Sequence, residues 1–307
     1  MINTLTASLA ALLLLNAATG CASVESVQTT TTVPFEGTTE FRASDVRAVH
    51  RDEQGRLWFG TAENGVFSFS SGEWTHWSEE DGLAGASILS FANAPDGSLF
   101  AAGGGGVSKF DNSMWQRIET PVEYRVVFKV HADKGLWLGG NPAAARLSKG
   151  GWTVRNFGAD GLPGGVAHFT APSPYSDSAF VGTRRSGLIE IAGDEVTVRW
   201  SEMNFRTVLI DKPAQSVWFG TSDNGILRLS ADGEEWVGSG LSAPLFFTDD
   251  GRLVASFEDQ LKILENGTWR ALDLALMTGS EIFSGTPYGE GAALIATSKG
   301  VFSVSLR

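Results

Sequence analysis

The sequence predicts an all-β protein: a seven-bladed β-propeller of four-stranded antiparallel blades. Three observations carry that expectation. A motif of the Leu-Trp-Phe-Gly-Thr kind returns seven times at intervals near 40 residues, the length of one four-stranded blade. Short β-branched and aromatic runs, divided by Gly-containing turns, fill each interval, and no helical periodicity follows the N-terminal stretch. The last copy ends about one strand early, as expected of a ring whose first and last blades are joined by the opposite terminus.

The clearest unit reads Gly55-Arg56-Leu57-Trp58-Phe59-Gly60-Thr61, then Asn64-Gly65-Val66-Phe67-Ser68-Phe69, then Gly72-Glu73-Trp74. It returns as Leu136-Trp137-Leu138-Gly139 with Trp152, and as Val217-Trp218-Phe219-Gly220-Thr221 with Asn224-Gly225 and Trp236. Weaker copies lie around Ala102, Gly182, Ser256 and Ala296, so that the anchor positions are spaced by 42, 37, 43, 38, 36 and 40 residues. Asn-Gly pairs supply the positive φ of a tight hairpin. Runs such as Leu57-Trp58-Phe59 are apolar without alternation, which suits strands buried on both faces between neighbouring blades. Trp58, Trp137 and Trp218 are therefore expected in the core, whereas Trp77 and Trp200 fall outside the repeat positions and are the candidates for exposed aromatics. Residues 33–42, with Phe35 and Phe41, are expected to supply the missing outer strand of the seventh blade.

Composition narrows the function classes. The 307-residue chain has 23 Lys and Arg against 35 Asp and Glu, a formal charge of -12, so binding to nucleic acid is disfavoured. A single cysteine builds neither a disulfide framework nor a multi-cysteine metal site. Residues 1–20 read as an export signal: the apolar stretch is too short to span a membrane and ends in small residues. Ala18-Thr19-Gly20-Cys21 resembles the processing box of bacterial lipoproteins, which implies lipidation of Cys21, and by the same resemblance Ala22 implies outer-membrane retention. The domain reading is a lipoprotein-type signal peptide over 1–20, a Thr-rich tether over 21–32 and the propeller over 33–307.

The motif residues resemble the two-component regulator propeller repeat. Asp52, Gly55, Leu57, Trp58, Gly60, Thr61, Gly65, Phe69 and Trp74 follow its pattern, as do Asp81-Gly82-Leu83 and Asp160-Gly161-Leu162-Pro163 between blades. The resemblance runs from about residue 45 to the C-terminus and weakens in blades two, four, six and seven. Members are often the exported sensory part of membrane histidine kinases. There the propeller stands in tandem with a transmembrane helix and a kinase, neither of which is read in this sequence, so the resemblance does not carry signalling over.

Motifs for chemistry are sparse. His50 and His131 occupy equivalent positions at the end of innermost strands, where a shared metal is the sharper reading and repetition of like residues the plainer one. Gly220-Thr221-Ser222-Asp223-Asn224 lacks the last glycine of a serine elbow, and residues 103–106 lack the Lys-Ser or Lys-Thr of a phosphate loop. The acidic pairs Glu234-Glu235 and Asp249-Asp250 read as turn solvation. No metal and no cofactor is expected. In a propeller, the turns between second and third strands gather on one face with the interblade connections. That face is expected to carry Asn64, Asn141, Arg184, Arg185, Asp223, Asn224, Glu258 and Asp259, with Phe205 on a connection. The Arg184-Arg185 pair is a positive spot suited to carboxylate or phosphate.

The expected function is non-catalytic binding of a small ligand or protein partner in the bacterial cell envelope, in a sensory or scaffold role, with the lipid on Cys21 as membrane anchor. Two other readings stand beside it: a sensor acting in trans with a kinase, and a metal-dependent lyase similar to virginiamycin B lyases. The lyase requires an imidazole at the channel mouth, and His168 lies nearest a suitable connection.

Overall fold

A computed structural model describes residues 31–32 and 43–307, except 112, 134 and 273–278. The signal, Cys21 and residues 33–42 lie outside the described residues. The described chain forms seven four-stranded antiparallel sheets, six of them built from four consecutive strands. The innermost strands are Val46–Arg51, Ile88–Asn93, Val126–Ala132, Ala167–Pro172, Phe205–Asp211, Ser242–Phe247 and Ile282–Pro287. Every anchor position falls on the second strand of its blade: Leu57–Thr61, Leu99–Gly103, Leu136–Asn141, Ala179–Thr183, Ser216–Thr221, Leu253–Phe257 and Ala292–Thr297. In the seventh blade Thr31–Thr32 takes the outer place beside Gly300–Ser305, with Thr31 opposite Ser303 and Thr32 opposite Phe302. The pairing residues thus lie in the stretch read as tether, just ahead of the segment expected to pair.

Burial explains the motif. Second strands such as Leu57–Thr61, Ala179–Thr183 and Leu253–Phe257 are buried at every residue because a blade covers each of their faces. Fourth strands such as Glu73–Trp77 stay largely exposed at the rim. The anchor is glycine where the next blade's innermost strand crosses. A Cβ on Gly60 would lie 2.6 Å from Cγ2 of Ile88, and one on Gly139 would lie 2.3 Å from the backbone of Phe169. The following threonine closes the turn: Thr61 Oγ1 donates to the Gly65 carbonyl at 2.9 Å and accepts from Asn64 N at 2.8 Å, and Thr183, Thr221 and Thr297 repeat the device. Asp52 accepts from Arg56 N and from Trp58 Nε1, both at 2.8 Å, which fixes the preceding hairpin and the tryptophan together.

Trp58, Trp137 and Trp218 are core residues. Trp77 and Trp200 are not the exposed aromatics expected. Trp77 is half-buried against the blade 1–2 core and donates to Ser68 Oγ, while Trp200 packs edge-on against Trp236 at 5.9 Å. Trp77 ends an outer strand and Trp200 directly follows one, and aromatic residues of the next blade, Phe110 and Trp236, cover them. The free backbone edges of the innermost strands are partly satisfied by hydroxyls of the neighbouring blade: Val130 N donates to Ser90 Oγ at 3.1 Å and Val49 N to Ser284 Oγ at 3.2 Å.

Candidate functional site: the channel mouth

Each innermost strand carries a register shift. In six of the seven blades it leaves one side chain unpaired near the strand's start: Arg47, Leu89, Phe128, His168, Arg206 and Phe283. A bulge turns its extra residue out of the ladder. These six side chains line one cavity of about 640 Å³, to which Ala243 contributes from blade 6, where the shift lies further along at Leu245. All seven blades therefore meet at the cavity, on the central axis. Glu258 and Asp259, from the turn between the second and third strands of blade 6, and the connection residues Leu241, Ser280 and Glu281 place it at the mouth on the face carrying those turns.

The mouth is bipolar. Arg47, Lys129 and Arg206 project from innermost strands, and Glu258, Asp259 and Glu281 project from loops of blades 6 and 7. Arg206 and Glu281 approach to 3.9 Å across the two sets. Arg47 lies 4.6 Å over the ring of Phe283, and His168 meets Phe128 edge-on at 5.4 Å. Burial, aided by the positive charges of Arg206 and Arg184, pushes His168 down to about 4, so its imidazole is neutral at pH 7. Burial likewise holds the Lys129 ammonium below its ordinary value. Deeper on the same strand His131 is pushed down to about 3, first by burial and then by Lys129. Thr207 Oγ1 and Ser280 Oγ line the mouth, buried and without a hydrogen-bond partner among the described residues. Such groups are costly unless something meets them.

Of the residues expected on this face, Glu258 and Asp259 line the cavity, while the others stand outside it. Arg184 and Arg185 form an exposed hairpin tip, Arg185 in the left-handed region at φ 74°, and only the field of Arg184 reaches the mouth, through His168. Asn64 and Asn224 are exposed turn residues whose amides are held by Thr61 and Thr221, and the Asp223 carbonyl accepts from Gly240 N. Asn141 ends a strand, and its carbonyl accepts from Arg125 N ahead of a cis bond to Pro142. These residues build separate turns on blades 1, 3, 4 and 5 and do not converge. Phe205 is a correction. It is fully buried among Phe169, Phe180 and Phe219, because the first residue of an innermost strand points between blades, as Val46 and Ile88 also do.

His50 bonds Asn93 Oδ1 at 3.0 Å, and it does not join His131 or His168. No group of three or more His, Cys, Asp or Glu among the described residues could hold a metal. Among the described residues His168 thus has no two further ligands beside it with which to hold a lyase's metal.

Residues 40–63 match the family model described as "Two component regulator propeller". This segment is a two-component regulator propeller repeat. It covers the first hairpin with its Asp52, Trp58, Gly60 and Thr61. Among curated proteins no sequence matches the chain. Among solved structures, the propeller is similar to the extracellular domain of a protein described as a hybrid two-component system from B. thetaiotaomicron, at TM-score 0.73 and 18% identity over 87% of this chain and 40% of that one. A second B. thetaiotaomicron extracellular domain, of a one-component system, superimposes at TM-score 0.69 and 16% identity over 90% of this chain and 39% of that one. The chain thus spans about two fifths of those domains. A catalytically inactive virginiamycin B lyase from Staphylococcus aureus, solved with quinupristin, matches at TM-score 0.66 and 12% identity over 91% and 99% of the two chains. At these identities the likeness is one of fold.

Proposed function

We propose that this propeller is a non-catalytic binding module of sensory type whose ligand sits in the channel mouth, held by Arg47, Lys129, His168 and Arg206 on one side and Glu258, Asp259 and Glu281 on the other. The observation that carries this reading is the ring of bulges, which spends one residue per blade to aim six side chains into a single cavity. Two unpartnered buried hydroxyls and opposed charges in that cavity favour a small polar ligand bearing both signs, a zwitterion such as a free amino acid or short peptide. The family model on residues 40–63 and the extracellular sensor domains of similar fold support a sensory role. We further propose export and anchoring in the cell envelope by lipidation of Cys21, in the outer membrane, on the sequence resemblance given above. The Arg184-Arg185 tip would then sit at the rim of the same face, available to a protein partner.

The test is a thermal-shift screen of the intact protein against zwitterions, simple anions and simple cations. Stabilisation by a zwitterion that is lost in Arg206→Ala and kept in Arg184→Ala/Arg185→Ala supports the reading. A zwitterion response surviving Arg206→Ala and Lys129→Met together would overturn the mouth as its site.

A lyase reading draws on one observation, the neutral His168 in the mouth. It is tested by thermal shift with divalent cations. Stabilisation dependent on His168 would favour it, and the absence of any shift would count against it.

A further inference from the structure

The interface between blades 3 and 4 departs from the repeat at several positions at once. Strand register identifies equivalent residues. Ala144 stands opposite the anchor Gly139, a place filled in other blades by Val66, Val107, Leu188, Ile226, Leu261 and Val301. On the facing side, Ala179 and Ile191 pair with each other where blade 2 pairs Leu99 with Phe110, and Val196 stands where blade 2 has Trp115. The missing volume leaves a cavity of about 270 Å³, walled by Trp137, Arg146, Ala144 and Ala179 and closed by Thr170 and Ser178. It lies between blades, apart from the channel mouth, and shares no lining residue with it.

Polar chemistry has been placed in that space. Thr170 occupies a register position held by Val49, Val130 and Val208 in other blades, and it is 3% exposed. Thr170 lines the cavity, and its Oγ1 is buried with no hydrogen-bond partner among the described residues. A buried hydroxyl in a slot that valine fills in blades 1, 3 and 5 is costly unless something meets it. Opposite it, the Arg146 guanidinium lies 4.4 Å over the Trp137 ring, and Arg155 reaches across from blade 3 to the Gly193 carbonyl at 3.3 Å.

We propose that this cavity is a second ligand site, for a small carboxylic acid with an apolar body. The carboxylate would meet Arg146 and the Thr170 hydroxyl, and the body would lie against Trp137, Ala144 and Ala179. At about 270 Å³ the space exceeds the roughly 150 Å³ of a cavity that takes up benzene, which leaves room for an aromatic ring with a carboxylate, as in benzoate. The inference does not rest on the reading of the channel mouth.

The experiment is a titration of the full chain with benzoate, followed by NMR and calorimetry, with benzyl alcohol as an uncharged analogue that keeps the ring and acetate as the charge without the body. Benzoate is expected to bind, with benzyl alcohol and acetate each roughly tenfold weaker or worse, as the loss of a charge-assisted contact or of the apolar body requires. Ala144→Leu, which restores the repeat's volume, is expected to abolish binding. Thr170→Val, which restores the repeat's residue, is expected to weaken binding several-fold while the melting temperature holds or rises, and it serves as the folded control should Ala144→Leu misfold. Absence of benzoate binding at millimolar concentration, equal binding of benzyl alcohol, or unchanged affinity in folded Ala144→Leu or Thr170→Val would each overturn the proposal.

Discussion

The interfaces between blades 1 and 2 and between blades 3 and 4 are built on one register and end differently. In the first, Trp58 packs edge-on against Phe110 at 5.0 Å and Trp115 at 5.7 Å, and the space between blades is filled. In the second, Trp137 holds the equivalent place but borders a cavity, because its facing residues are Ala179, Ile191 and Val196. The strand frame is preserved in both. Where the repeat is kept, its residues build the ring. Where it is broken by smaller or polar residues at unchanged register, the ring gains space for something else. The channel mouth shows the same division, since in six of the seven blades the bulge lies near the start of the innermost strand while its residue changes among arginine, leucine, phenylalanine and histidine.

The sharpest way to break this comparison is to truncate both tryptophans. Trp58→Ala is expected to cost roughly 3 to 5 kcal/mol as a large-to-small change in a packed core, and Trp137→Ala about half as much, since part of its surface already faces a void. Equal losses in denaturant unfolding would show that the two interfaces are packed alike. Next comes Gly60→Ala, expected to cost about 1 to 3 kcal/mol by overpacking against Ile88, read as a lowered denaturation midpoint.

A smaller effect separates the mouth from the interblade cavity by pH. His168 stands near 4 in the folded chain against 6.5 when free. Between those values the unfolded chain binds the proton and the folded chain does not, so its contribution to stability is full above pH 6.5 and is lost as pH falls toward 4. His168→Gln is expected to flatten the acid limb of the stability profile, whereas Thr170→Val leaves its slope unchanged. Identical slopes in wild type and His168→Gln would contradict the burial assigned to this imidazole. Smallest of all, Ala144→Leu is expected to raise stability by about 0.5 to 2 kcal/mol as a cavity-filling change, and a fall in melting temperature would show the void to be too tight for leucine.

The fold was legible because its determinants recur. Gly60, Gly139 and Gly220 each mark a close crossing of the next blade, Gly182 makes room for the ring of its own partner Phe169, and Thr61, Thr183, Thr221 and Thr297 each close a turn, so the period survives even where the tryptophan is lost. The sites were less legible because they lie where the pattern varies. Exposed turns drew attention to Arg184, Arg185, Asn64, Asn141, Asp223 and Asn224, which share a face with the mouth without entering it. Arg47 and Arg206 were hidden by sitting inside strands, where pairing register and not residue type decides direction, whereas His168 stands out in the sequence as the imidazole nearest the mouth. A signal for them exists: the six mouth-lining bulge residues fall 11 to 14 positions before the anchor of each repeat. Phe205 misled for the converse reason, as its place on a connection concealed that a strand begins there. The gap between blades 3 and 4 becomes readable once register aligns Ala144 with Val66 and Thr170 with Val49.

Whether a ligand enters the channel mouth or meets the hairpin tips is decided by a chemical-shift map of the intact protein titrated with a zwitterion such as free glutamate or a dipeptide. Changes are expected to concentrate on Arg47, Lys129, His168, Arg206, Thr207 and Ser280, with the turns at Asn64, Arg185 and Asn224 unmoved. Changes confined to those turns, with a silent mouth, would contradict binding in the mouth.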